Sequence, residues 1–141
     1  MTTAPQPIQE EIGLRGRIPN AALIAGIILI IVGIFGFIDS YLILASTILL
    51  GWLVVGFIGF ASLLSGIGVL LGSDSAYAVA IIMSALNLFV GLTEFLGAFN
   101  HVFAIMGWVG LGQAVGAGTL VLAALSLYLL SREDSKIFFN Y

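Results

Sequence analysis

Three side chains that can exchange a proton or bind a cation stand in or beside long apolar runs. They are Asp39 in "GFIDSYLIL", Glu94 in "SALNLFVGLTEFLGAFNH", and His101, the sole histidine, which closes that second stretch. Taking an ionisable group out of water is costly unless something binds it, so such residues read by default as functional. The chemistry open to these three is uptake of a proton or a cation. Other chemistries are excluded. The chain has no cysteine and one histidine, which removes disulfides, thiolate sites and any multi-histidine metal centre. It also has no nucleophile–base pair and no glycine-rich nucleotide loop, so the expectation is a non-enzyme without cofactor or resident metal.

Composition says what surrounds these residues. Of 141 residues, 61% are hydrophobic and 8% charged, with a mean hydropathy of +1.23. Soluble domains carry about 25% charged residues, so this chain lacks the polar atoms to cover a water-facing surface. The acidic balance rests on four basic and seven acidic residues. Without a basic stripe, no nucleic-acid partner is expected. Membrane lipids are the expected contacts, together with copies of the chain or other membrane subunits.

Lipid does not hydrogen-bond the backbone, so a span must be a helix of about 20 apolar residues or a strand of a closed barrel. The runs here are too long for strands. The expected fold is all-α: a polytopic, antiparallel, left-handed bundle of four transmembrane helices over residues 20–130. The spans are expected at 20–38, 47–71, 76–99 and 102–130. Polar links "DS" (39–40), "GSDS" (72–75) and "NH" (100–101) separate the apolar runs, with Tyr41–Thr47 lying in the interface before the second span. Residues 1–19 form a partly interfacial tail and 131–141 a second tail. All four basic residues lie outside the spans, at Arg15, Arg17, Arg132 and Lys136. The positive-inside bias therefore predicts an integral protein of the plasma or cytoplasmic membrane with both termini cytoplasmic. Trp52 and Trp108 fall early in their spans, at headgroup level, as interface anchors.

Helices pack in lipid where small residues let backbones approach. In the third span Tyr77, Ala80, Ser84, Asn87, Gly91, Glu94, Ala98 and His101 alternate in steps of three and four, a heptad line that sorts small and polar residues together. Matching lines are Ala22, Gly26, Leu29, Gly33 and Gly36 in the first span, and Val55, Gly59, Ser62, Gly66 and Val69 in the second. In the fourth, Gly107, Gly110, Ala114, Ala117, Val121 and Ala124 are expected to form the line, with Gln113 on its edge. Asn87 and Gln113 each lie eleven residues into their spans, about 16 Å deep, and are expected to bond each other across the bundle, with Ser84 a further polar contact. Glu94 lies eighteen residues in, about 27 Å from the cytoplasmic end, in one outer layer with Asp39 and His101.

Two readings of Glu94 follow. It lines an outward vestibule as a proton or cation ligand, or it accepts a structural hydrogen bond from Trp52, Thr47 or backbone. His101 reads as a loop residue or a further ligand. "VG" and "GWLVVG" at 32–33 and 51–56 are echoed by "VG" and "GWVGLG" at 90–91 and 107–112, as in two helix-hairpin repeats; chance in a glycine-rich composition gives the same pattern.

The stretch "GIILIIVGIFGFIDSYLILASTILLGWLVVGFIGF" resembles the helix-hairpin unit of HdeD-type acid-resistance membrane proteins, with Asp39-Ser40 where those commonly have a proline. "GWVGLGQAVGAG" is similar to a late-helix segment of the acetate uptake transporters, whose asparagine-proline-rich motif is absent. Each covers a quarter of the chain or less, and neither assigns a role to any residue. Function is therefore expected in one of two classes. The first is a structural or accessory subunit that packs in a membrane assembly. The alternative is a small oligomeric transporter or channel for protons, cations or a small solute that uses the Glu94 layer.

Overall fold

Backbone groups that cannot reach water must bond within their own segment, and the apolar runs do so as helices. The computed structural model describes residues 17–45, 49–97 and 110–141, leaving aside the side chains of 42–52. These form α1 (Asn20–Ala45), α2 (Leu49–Leu70), α3 (Asp74–Phe95), α4 (Leu111–Leu130) and a short α5 (Glu133–Phe138). The first four are long and apolar enough to cross a membrane, and the chain is compatible with an integral membrane protein. Their outward faces carry large exposed side chains such as Ile27, Phe57, Phe89 and Val121. In water these would be a liability; in lipid they are solvated.

The helix ends follow local chemistry. Pro19 precedes α1, where its missing N–H costs nothing, and its carbonyl accepts from Leu23 N at 3.0 Å. After α2, Gly72 takes φ +74°, which only glycine adopts freely. The Gly72 N–H bonds Val69 O and the Ser73 N–H bonds Gly68 O, a Schellman closure. Ser73 then caps α3, its hydroxyl accepting from Ala76 N at 3.4 Å, with Asp74 in the first turn, where the helix dipole favours an acid. "GSDS" therefore closes one helix and starts the next.

"DS" does not. α1 runs through Asp39 and Ser40 to Ala45, so residues 41–45 extend the first helix and do not form a separate interfacial segment. The physical reason is direction: Asp39 and Ser40 are both buried, facing inward. No glycine or proline follows to stop the helix. The C-terminal segment is likewise not a free tail. α5 folds back so that Phe139 is fully buried and stacks on Tyr77, ring centroids 4.6 Å apart. Ser135 Oγ donates to Leu129 O at 3.0 Å.

α1 packs most extensively on α2 and α3 on α4, while α2–α3 and α1–α4 make smaller contacts and the α1–α3 diagonal barely touches. Along α1–α2 the close approaches are Gly26 to Gly66 and Gly33 to Gly59, numbers rising on one helix as they fall on the other. On α3–α4 the Tyr77 hydroxyl donates to Leu130 O, Ser84 meets Ser126, and Gly91 meets Gly116 and Leu120. The end holding Gly72 and α5 is closed by Tyr77, Phe139, Leu130 and Val69, all fully buried.

Candidate functional site

The buried residues of α3 are Tyr77, Ala80, Met83, Ser84, Asn87, Gly91 and Glu94. The six small or polar members of the heptad line that are described thus share one face, with Met83 beside them. Ala98, His101, Gly107, Trp108 and Thr47 lie outside the described residues, as does the side chain of Trp52.

The polar groups on this face find partners step by step. Ser84 Oγ donates to Ala80 O at 2.8 Å and shares a hydrogen bond with Ser126 Oγ at 2.9 Å. Asn87 Nδ2 donates to Ser62 Oγ at 2.7 Å and to Met83 O at 2.8 Å. Ser62 Oγ in turn donates to Ile58 O at 2.7 Å. Asn87 therefore pairs with α2, not with Gln113. Gln113 is exposed because α4 starts at Leu111, which places residue 113 in its first turn, far from the depth of Asn87.

α4 also turns a different line inward. Its buried residues are Gly112, Gly116, Thr119, Ala123, Ser126 and Leu130, while Gly110, Ala114, Val121 and Ala124 are exposed and Ala117 half-buried. Gly110 is no packing residue: it caps α4 at φ +86°, and a Cβ there would meet nothing within 4 Å. The inward line carries two hydroxyls at steps of four and three, the same sorting of polar residues that marks α3. That signal was present in the sequence, and the alanine-rich line obscured it.

Glu94 ends the ladder and differs from every group below it. It is 4% exposed, in the last turn of α3. A Cβ on Gly116 would sit 2.7 Å from Glu94 Cβ and 2.8 Å from its carbonyl carbon, so only glycine on α4 lets the helix close over this position. Glu94 Oε2 is buried with no hydrogen-bond partner, alone in this among the buried side-chain oxygens and nitrogens of the described residues. Asp39 on α1 is also buried, at 7% exposed. Asp39 and Glu94 are thus the two buried acids among the described residues, one on α1 and one on α3. Next to Asp39, Ser40 is buried against α2, its Oγ 2.7 Å from where a Gly56 Cβ would stand. Between α1 and α4, an apolar groove of about 280 Å³ is lined by Phe35, Val115, Gly118, Thr119 and Leu122, among others.

Chemically, the layer offers two carboxylates, hard oxygen donors suited to a proton or a hard cation. No group of three or more His, Cys, Asp or Glu residues occurs among the described residues. No protein-family model, curated protein or solved structure matches the chain.

Proposed function

We propose that this chain is a small integral membrane protein that takes up a proton or a small cation at the Asp39–Glu94 pair. In this reading it folds as an antiparallel, left-handed four-helix bundle with both termini cytoplasmic, and the acid pair opens toward the outer face. The observation that carries the reading is Glu94 Oε2, a deeply buried carboxylate oxygen without a hydrogen-bond partner; Asp39 is the other buried acid of the described residues. Leaving a buried polar atom unpaired costs about 1–3 kcal/mol, and more for a charge, so a bound ion or proton accounts for an arrangement that packing alone does not. The inner half of the bundle holds bonded hydroxyls and the Asn87 amide and is capped by the Tyr77–Phe139 stack. Passage across the membrane would then run between copies of the chain, as a small oligomeric transporter.

A second reading is the structural or accessory subunit. It is favoured by the large apolar side chains exposed along all four long helices and by the open groove at Phe35. The two are separated by one preparation. The purified chain is sized in mild detergent, reconstituted in liposomes, and assayed for uptake of protons and monovalent cations, beside Glu94→Gln. Uptake lost in the variant with the oligomer intact supports the ion site. A heteromeric complex and no wild-type uptake supports the subunit role.

A further inference from the structure

We infer that the groove between α1 and α4 binds a neutral, membrane-dissolved ring compound of the quinone class, its carbonyl accepting a hydrogen bond from the Thr119 hydroxyl. The inference goes beyond ion uptake and uses neither buried acid.

The hydroxyl singles out the groove. A serine or threonine inside a helix ordinarily returns its hydroxyl to a carbonyl three or four residues back. Ser62, Ser65, Ser84 and Thr93 all do so, and Ser126 shares a bond with Ser84. Thr119 does not: among the described residues no group bonds its hydroxyl. The residue is only 8% exposed, and the groove that it lines is where that exposure lies. Glu94 Oε2 is sealed in; the Thr119 hydroxyl stays open to a ligand. It is the one polar side-chain group on a wall otherwise made of Phe35, Ala114, Val115, Gly118 and Leu122. Burying an unbonded hydroxyl in an apolar setting is costly, so an acceptor brought into the groove gains a bond that the fold leaves unmade.

Shape, charge and depth select the ligand. An apolar cavity of about 150 Å³ takes up benzene; at about 280 Å³ the groove takes a ring with substituents. Gly118 keeps it open, since a Cβ there would meet nothing within 4 Å. Phe35, 44% exposed, offers an aromatic wall on which a flat ring stacks. Residues 20–130 contain no lysine or arginine, so an anionic head would find no counter-charge, and the ligand is neutral. Thr119 lies eight residues from Leu111 and eleven from Leu130, about 12 and 16 Å, near mid-span. Phospholipid ester carbonyls stay in the interfacial region outside the hydrocarbon core, and an acyl chain carries no acceptor. A second copy would reach the recess with one side chain, and the large exposed ones at that depth, such as Ile31, Phe60, Leu86 and Val121, are hydrocarbon. A quinone combines a flat neutral ring, a carbonyl acceptor and a tail that rests in lipid.

The test places the full chain in phosphatidylcholine nanodiscs and measures decylubiquinone retained above protein-free nanodiscs. Decylbenzene, which lacks the carbonyls, is measured alongside. Wild type, Thr119→Ser, Thr119→Val and Gly118→Leu are compared, with the oligomeric state of each. The expected result is saturable retention of one quinone per chain in wild type and Thr119→Ser. Affinity falls about three- to tenfold in Thr119→Val, the loss of one hydrogen bond, and retention disappears in Gly118→Leu, which fills the groove. Decylbenzene binds wild type and Thr119→Val alike, and more weakly than the quinone binds wild type. Thr119→Val removes no bond within the fold, so it carries the comparison should Gly118→Leu fail to fold. No saturable retention in wild type overturns the site. Equal quinone affinity of wild type and Thr119→Val, or decylbenzene binding as tightly as the quinone, overturns it in favour of an acyl-chain groove. A wild-type dimer that retains no quinone and that Gly118→Leu dissociates overturns it by giving the groove to a second copy.

Discussion

A single methyl added at Gly33 tests how α1 and α2 are held together. The Cβ of Gly33→Ala would stand 2.7 Å from Gly59 O and 2.8 Å from Leu63 N. Ordinary contact begins at 3.4 Å, so the helices must part by about 0.7 Å, the difference between 3.4 and 2.7. The obstructing atoms are backbone, and no rotamer change relieves them. Overpacking of this kind costs about 1–3 kcal/mol, against a gain of about 1 kcal/mol from replacing glycine by alanine in a helix. Gly118→Ala makes the same chemical change where nothing lies within 4 Å, and it keeps only the gain. The two variants should therefore differ by about 1–3 kcal/mol, with Gly118→Ala the more stable. Reversible unfolding by sodium dodecyl sulfate in mixed micelles measures the difference. Coincident midpoints would refute the assignment of Gly33 to a backbone contact.

Phe139→Ala removes a fully buried ring from the Tyr77 stack and should cost about 3–5 kcal/mol, whereas Ile137→Ala, at a residue 75% exposed, should be nearly silent in the same unfolding assay. A double-mutant cycle on Asn87→Ala and Ser62→Ala should give a coupling of about 0.6–1.7 kcal/mol, and one on Asn87→Ala and Gln113→Ala none. Ser75→Cys, a lone exposed thiol in a cysteine-free chain, should react with impermeant maleimide only from the cytoplasmic side; labelling from outside would reverse the proposed orientation.

Much of this arrangement was legible because lipid imposes few solutions. Apolar length fixed the helices, and Gly72-Ser73 announced its own turn. The third span could be read residue by residue because polar side chains in lipid have nowhere to go but inward, so Ser84, Asn87 and Glu94 marked the buried face. Two things misled. In "IDSYL" polarity looked like a link, but an inward-facing Asp39 is compatible with a continuous helix, and polarity alone does not tell burial from exposure to water. In the fourth span the starting point was set too early, which displaced Gln113 in depth, and frequent alanine favoured the wrong line over the one bearing Thr119 and Ser126. Depth alone put Asp39 and Glu94 in one outer layer, but whether they face each other depends on how one helix pair meets the other. That is a tertiary relation with no periodicity in either segment to announce it.

The most direct test of the Asp39–Glu94 site is a double-mutant cycle on Asp39→Asn and Glu94→Gln, with unfolding free energy measured in mixed micelles at acid and alkaline pH. If the two carboxyls form one site, each single substitution stabilises the chain at alkaline pH by removing the repulsion, and the second adds little. The coupling should be about 0.5–3 kcal/mol, as for residues that share one site, and should fade toward acid pH. Strictly additive substitutions at every pH would contradict it.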